Sequence, residues 1–151
     1  MKYKLTNKTK EVYSIKLYQI QALKDFGDVK KGALGGWIQS EKNLSQKGNA
    51  WVYGTARVCG TALVYDNAQV YDNARVYGTA RVCGNARVCG NARVYNDAQV
   101  YGTAWVQFGK LTENIKTNLV QYIGCSLNVY PIKGKYTLYK KVNKISQSKY
   151  S

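Results

Sequence analysis

The sequence predicts an all-β fold: a parallel β-helix with an N-terminal β cap and a small C-terminal α+β cap. Three observations predict it. Alanine recurs every six residues from Ala50 through Ala104, and valine follows each alanine by two, from Val52 through Val106. Between successive pairs stand GT, DN, GN or ND, dipeptides that turn a chain at little cost and tolerate positive φ.

The period excludes a helix. Six residues turn an α-helix by about 600°, so the valines would scatter over several faces and form no stripe. In a strand, positions two apart share a face, so every Ala–Val pair points the same way. Each hexad then reads as a short strand of type A-x-V-x followed by a tight corner. An antiparallel meander of such strands would bury one face only and leave open edges. Coiling them into a prism buries every pair against the others.

The remaining segments follow in chain order. Residues 1–44 read as an N-terminal cap and lead-in coil. The alternation of Tyr13, Ile15 and Leu17 suggests one or two strands before residue 22, and irregular coil fills 22–44. Repeat stacks need such caps to hide their ends. Residues 45–109 are the solenoid. In 110–142, Ile115, Leu119, Val120 and Ile123 share one face of a short helix ending at Gly124, and a hairpin turns near Lys133 and Gly134 with Pro131 at its edge. The polar stretch 143–151 reads as a flexible tail.

The repeat resembles the hexapeptide-repeat family over residues 45–106. That resemblance implies a left-handed coil with three hexads to the turn. The position after the inward aliphatic, usually small or acidic in that family, is here Tyr or Cys, so the outer walls are unusually aromatic. The segment 22–54, with Gly35, Gly36 and residues 43–46 leading into the coil, is similar to a group of phage and bacterial proteins with tandem GNARVYG repeats. That likeness implies a phage or mobile-element origin.

With three hexads per turn, outward residues stack into columns about 4.8 Å apart per rung. One wall carries Arg57, Arg75 and Arg93, with Cys59, Tyr77 and Tyr95 beside them. A second carries Trp51, Gln69, Arg87 and Trp105, and a third carries Leu63, Arg81 and Gln99. The candidate binding residues are Arg57, Arg75, Arg93, Tyr77, Tyr95, Arg81 and Arg87. Arginine serves where a planar group must stack or grip phosphate or carboxylate with two prongs, and Tyr with Arg is enriched at contact hot spots. A repeat also copies whatever stands in it, so the arginine column equally follows from duplication alone.

The 151 residues carry 23 Lys and Arg against 8 Asp and Glu, a formal charge of +15. Such a balance favours polyanionic partners: nucleic acid, or an acidic or nucleoprotein surface. No run approaches the ~18 apolar residues of a membrane span, and the N-terminus has no apolar stretch behind its lysines, so a cytoplasmic protein without a secretory signal is expected. The cysteines Cys59, Cys83, Cys89 and Cys125 form no CxxC pair and histidine is absent. No metal site and no cofactor are expected.

Hexapeptide-repeat proteins are often trimeric acyltransferases, whose general base is a histidine with a pKa near working pH. This sequence has none, and it lacks the long loop that usually interrupts the coil of those enzymes. Asp66, Asp72 and Asp97 fall at corners, as turn residues. The expected function is therefore non-enzymatic: a basic protein docking on nucleic acid or a nucleoprotein complex, which in a phage setting would be an inhibitor of a host defence such as CRISPR in the host cytoplasm. The alternative is an assembly module forming a homo-oligomer, a dimer or trimer, through its walls.

Overall fold

The computed structural model describes residues 1–107, together with the backbone of the strands Lys110–Leu111, Val129–Ile132 and Lys135–Leu138. From Trp51 onward the chain lays down a two-residue strand every six residues, and strands three hexads apart pair in parallel: Arg57–Val58 with Arg75–Val76, and Arg75–Val76 with Arg93–Val94. Three walls result. One holds the arginine column, one runs through Trp51, Gln69, Arg87 and Trp105, and one through Leu63, Arg81 and Gln99. The sequence-predicted columns and register are those observed.

Each rung is tied to the next by its own backbone. The Arg57 and Cys59 amides donate to Ala74 and Val76 carbonyls at 3.0 Å, and the pattern repeats one coil on from Arg75 and Tyr77 to Ala92 and Val94. Inside, every repeat Ala from Ala50 to Ala104 and every Val from Val52 to Val106 is fully shielded from solvent. Small Ala beside branched Val fills a narrow prism, and Val keeps few rotamers to lose in an extended backbone.

The corners explain the third sequence signal. The first corner residue lies at positive φ in successive hexads: Gly54, Gly60, Asp66, Asp72, Gly78, Gly84, Gly90, Asn96 and Gly102. Only Gly, Asn and Asp adopt that conformation readily, and no other residue type stands there. The Asp side chains add a second role. Asp66 accepts from the Gly84 amide and Asp72 from the Gly90 amide, each at 3.0 Å, stitching one corner to the corner of the next coil. Thr55 likewise donates to Asn73, and Asn67 to Asn85.

The N-terminal cap is more ordered than the sequence suggests. β1 (Tyr3–Val12) and β2 (Ile15–Ala22) form an antiparallel hairpin around Tyr13 and Ser14, both at positive φ. That two-residue loop lacks the Asn-Gly or Asp-Gly signature of such turns, so the strand pattern showed while the turn did not. The region expected as irregular coil, 22–44, contains β3 (Leu34–Ile38) and a 3-10 turn at Glu41–Asn43. β3 pairs antiparallel with β2 and parallel with Arg57–Val58, so the arginine wall continues directly into the hairpin as one sheet. Ile38 and Leu44 already face Val58 and Val64 as inner residues of the first coil. The coil thus begins ahead of residue 45. Its period was hidden because the first turn is two residues longer than those that follow.

Close approach explains Gly35 and Gly36. A Cβ on Gly35 would meet Ile20, Trp51 and the Val52 carbonyl at 2.7 Å, and one on Gly36 would meet Val52 and the Ala56 carbonyl at the same distance. Trp51, placed on an outer wall by its register, is covered: Tyr3 and Phe26 stack edge-on against it at 6.1 and 5.2 Å. The buried Asn43 side chain donates to the Gly60 and Ala62 carbonyls and accepts from the Gln39 and Ser40 amides. Lys2 is also buried. Its ammonium donates to the Ala50 carbonyl at 2.7 Å and lies over the Phe26 ring.

At the other end, Lys110–Leu111 adds a fifth rung to the arginine wall. The hairpin expected near Lys133 is present, Ile132 pairing with Lys135. The helix expected at 115–123 and the tail 143–151 lie outside the described residues. No helix among the described residues is long and apolar enough to cross a membrane.

Gly36→Ala is expected to cost about 1–3 kcal/mol through overpacking, read as a lower midpoint of chemical denaturation. A second expectation concerns pH. Burial, and secondarily Lys24, pull the Lys2 ammonium down to about 8 from its ordinary 10.5. Between those values the unfolded chain holds a proton that the folded chain has lost, so stability rises with pH across that window. Burial and then Glu41 push the Tyr3 hydroxyl above its ordinary 10.0, and burial raises Tyr71 to about 12. Their ionisation favours the unfolded chain and reverses the trend above about 10. Denaturation midpoints measured along this range should rise and then fall, and Lys2→Met should reduce the rise.

Candidate binding surface

The arginine wall is built by register. Arg57, Arg75 and Arg93 are direct parallel-strand neighbours, so their side chains leave the sheet in one file. All three are half-buried, and among the described residues no Asp or Glu forms an ion pair with any arginine. Burial first, then Arg75, Tyr13 and Cys59 (the last two opposing) and Arg93, set the balance that holds the Arg57 guanidinium below its ordinary value. Like charges a rung apart and partly out of water are an unrelieved cost. Beside them Tyr77 and Tyr95 stack face to face, centroids 4.9 Å apart and planes within 1°. Burial and then Tyr95 raise the Tyr77 hydroxyl.

The other two candidates stand apart. Arg81 is exposed on the third wall between Leu63 and Gln99. Arg87 is exposed on the second wall, its guanidinium 5.8 Å from the Trp105 ring centre. The structure therefore groups five of the seven candidate residues and leaves Arg81 and Arg87 on separate walls, as their register predicts.

Sequence reasoning missed what stands over the column. The β1–β2 hairpin does not simply extend the wall. Its tip, through Val12, Tyr13, Ile15 and Leu17, borders a cleft of about 320 Å³ whose opposite side is formed by Arg57, Arg75 and Arg93, with Cys59 and Tyr77 alongside. Lys10, next to this tip, lies with its ammonium 4.3 Å from the Trp37 ring centre. Burial, and then Arg57, lower its pKa. The Cys59 thiol is raised by burial, against the pull of Arg57. The alternation around Tyr13 was visible, but nothing in it tells which surface the strands lean over.

A second, more open hollow involves Asp28, Tyr53, Gln69, Tyr71 and Asp72. There the Tyr53 hydroxyl donates to Asp28 at 2.8 Å and accepts from Gln69. Its carboxylates are already engaged, since Asp72 also holds the Gly90 amide. Cys59, Cys83 and Cys89 are free thiols, and Trp105 donates its indole N–H to the Cys89 sulfur. Among the described residues no cluster of Cys, Asp and Glu could hold a metal ion.

A prism of in-register hexads with outward Tyr and Arg is a β-solenoid built on a six-residue repeat. More narrowly, two successive stretches, residues 68–84 and 86–102, match the YdcK β-solenoid repeat. Over 40 residues the chain is 50% identical to the Uncharacterized acetyltransferase YdcK of Escherichia coli (strain K12). That match takes in 26% of this chain and 12% of the other protein.

Repulsion within the column should make stability depend on salt. Raising ionic strength from about 0.01 to 0.15 M shortens the screening length from ~30 to ~8 Å and should raise the melting temperature. Arg75→Gln, which removes the central charge, should flatten that rise more than Arg81→Gln, whose column holds no other cation among the described residues. Equal slopes for the two variants would show that the column carries no special repulsion.

Proposed function

We propose that this chain is a non-enzymatic basic binding module that docks a polyanion, nucleic acid alone or within a nucleoprotein complex, against its arginine wall. The observation that supports it is the file of Arg57, Arg75 and Arg93, held in register by the backbone, without carboxylate partners among the described residues, and flanked by the stacked Tyr77 and Tyr95. Cations at a fixed interval suit a repeating anion, and paired planar Arg and Tyr suit both phosphates and exposed bases. The cap lysines add a wider field that draws anions toward the wall. In its finer form, suggested by the likeness to phage and bacterial GNARVYG proteins, the complex docked upon is a host defence machine such as a CRISPR effector in the host cytoplasm.

An acetyltransferase reading follows from the relative's name alone. Acyl transfer to an acceptor calls for a general base near neutral pKa, and the sequence has no histidine. Asp66 and Asp72 are spent on corner amides and Asp28 on Tyr53. A second reading does have an observation behind it. Among the described residues the strands of the third wall carry one cation, Arg81, among half-exposed Leu63, Tyr65, Cys83 and Tyr101, a surface suited to a second copy of this chain. A dimer or trimer formed there would leave the arginine wall open to its partner.

Fluorescence anisotropy with a short single-stranded oligonucleotide tests the proposal. Affinity should fall steeply between about 50 and 200 mM salt as counterion release is lost. Arg75→Glu with Arg93→Glu should weaken binding at least about tenfold, each lost charged contact being worth roughly 1.5–3 kcal/mol, while the circular dichroism spectrum stays that of the parent. Unchanged affinity in the double variant would remove the arginine wall from the account.

A further inference from the structure

We infer that the cleft between the hairpin tip and the arginine column is a binding site for a small organic anion: a carboxylate, sulfonate or phosphate ester attached to an apolar body. The inference stands apart from polyanion docking, because it rests on the hairpin and not on the wall alone. Two unmet demands converge in this one space. On one side Arg57, Arg75 and Arg93 stand half-buried, and the groups acting on Arg57 are other cations, Tyr13 and Cys59, with no carboxylate among them. Glu11, the acid of the hairpin, is exposed, and it alternates with Lys10 and Val12 along β1, which puts it on the opposite face of that strand from the cleft. On the other side Val12 and Ile15 are half-buried side chains of a hairpin tip that line the cleft, and Tyr77 and Cys59 add apolar surface beside the arginines.

An inorganic anion would relieve the guanidinium repulsion and leave the apolar side wet. A neutral hydrocarbon would do the reverse. Only a molecule with both parts satisfies the cleft, its charged end against two neighbouring arginines and its body under Val12, Ile15 and Leu17. The volume of about 320 Å³ lies at the lower end of small-ligand pockets and leaves no room for a duplex beneath the hairpin. Lys10, its ammonium over Trp37 and near enough to Arg57 to feel its charge, adds a further cation beside the site.

Matched dyes separate the two halves of this requirement. Anilinonaphthalene sulfonate carries the anion and the rings, phenylnaphthylamine carries the rings without the anion, and inorganic sulfate carries the anion without the rings. The sulfonate dye should bind saturably, one molecule per chain, at least about tenfold more tightly than either of the others. Arg75→Gln with Arg93→Gln should weaken it about tenfold or more. Val12→Ser with Ile15→Ser should weaken it comparably while leaving oligonucleotide affinity at the parental value, and both variants should keep the parental circular dichroism.

Cys59 reports the place. Bound dye should slow its alkylation by N-ethylmaleimide, followed peptide by peptide in the mass spectrometer, without slowing that of Cys83 on the third wall. Equal binding of phenylnaphthylamine, equal binding of sulfate, unprotected Cys59, or undiminished dye affinity in the arginine double variant would each overturn the assignment.

Discussion

Everything in this molecule depends on one conformational demand: once in every six residues the backbone must pass through the left-handed region. That single bend lets a two-residue strand end, turn a corner and start again in the same sense, so that Ala and Val always return to the inside. The repeat meets the demand with Gly, Asp or Asn at each corner. Where the residue is Asp, the side chain also captures the amide of the coil beyond. The hydrophobic core is a consequence of the corners as much as their cause. Alanine and valine alone would be equally content in a flat sheet.

The periodic middle of the chain was legible because a solenoid repeats one local decision. Position two after alanine is inward in every hexad, and no long-range contact has to be guessed to know it. The same reading placed Arg57, Arg75 and Arg93 in one file and kept Arg81 and Arg87 away from it. Legibility stopped where the beat broke. Ile38 and Leu44 serve as inner residues of the first coil, yet the chain between Leu44 and Val52 runs two residues over the six-residue beat, and the pattern was lost there. The fit of Gly35 and Gly36 against Val52 and Trp51 is likewise a property of packing between elements, which leaves no periodic trace.

The site shows the same division. Its charged floor was readable from register, and its apolar side was not. Tyr13, Ile15 and Leu17 announced a strand, but Tyr13 and Ser14 adopt a left-handed turn that their identities do not advertise, and the tip they form borders the same cleft as the arginines. A surface that the sequence presents as an open stripe is in the structure a stripe with a flap along part of it. The difference matters chemically, since half-buried cations facing apolar side chains discriminate between ligands far more than solvated ones do.

The rung-to-rung pairing of Arg57, Arg75 and Arg93 has a further consequence. Peptide hydrogen bonds, not side chains, fix the interval between them at about 4.8 Å. Point substitutions can erase a mark on this ruler but cannot move one. Gaining or losing a whole coil alters only how many marks there are. A lineage carrying such a chain could therefore lengthen or shorten the file of outward side chains by duplicating a single stretch of gene, with the gauge preserved.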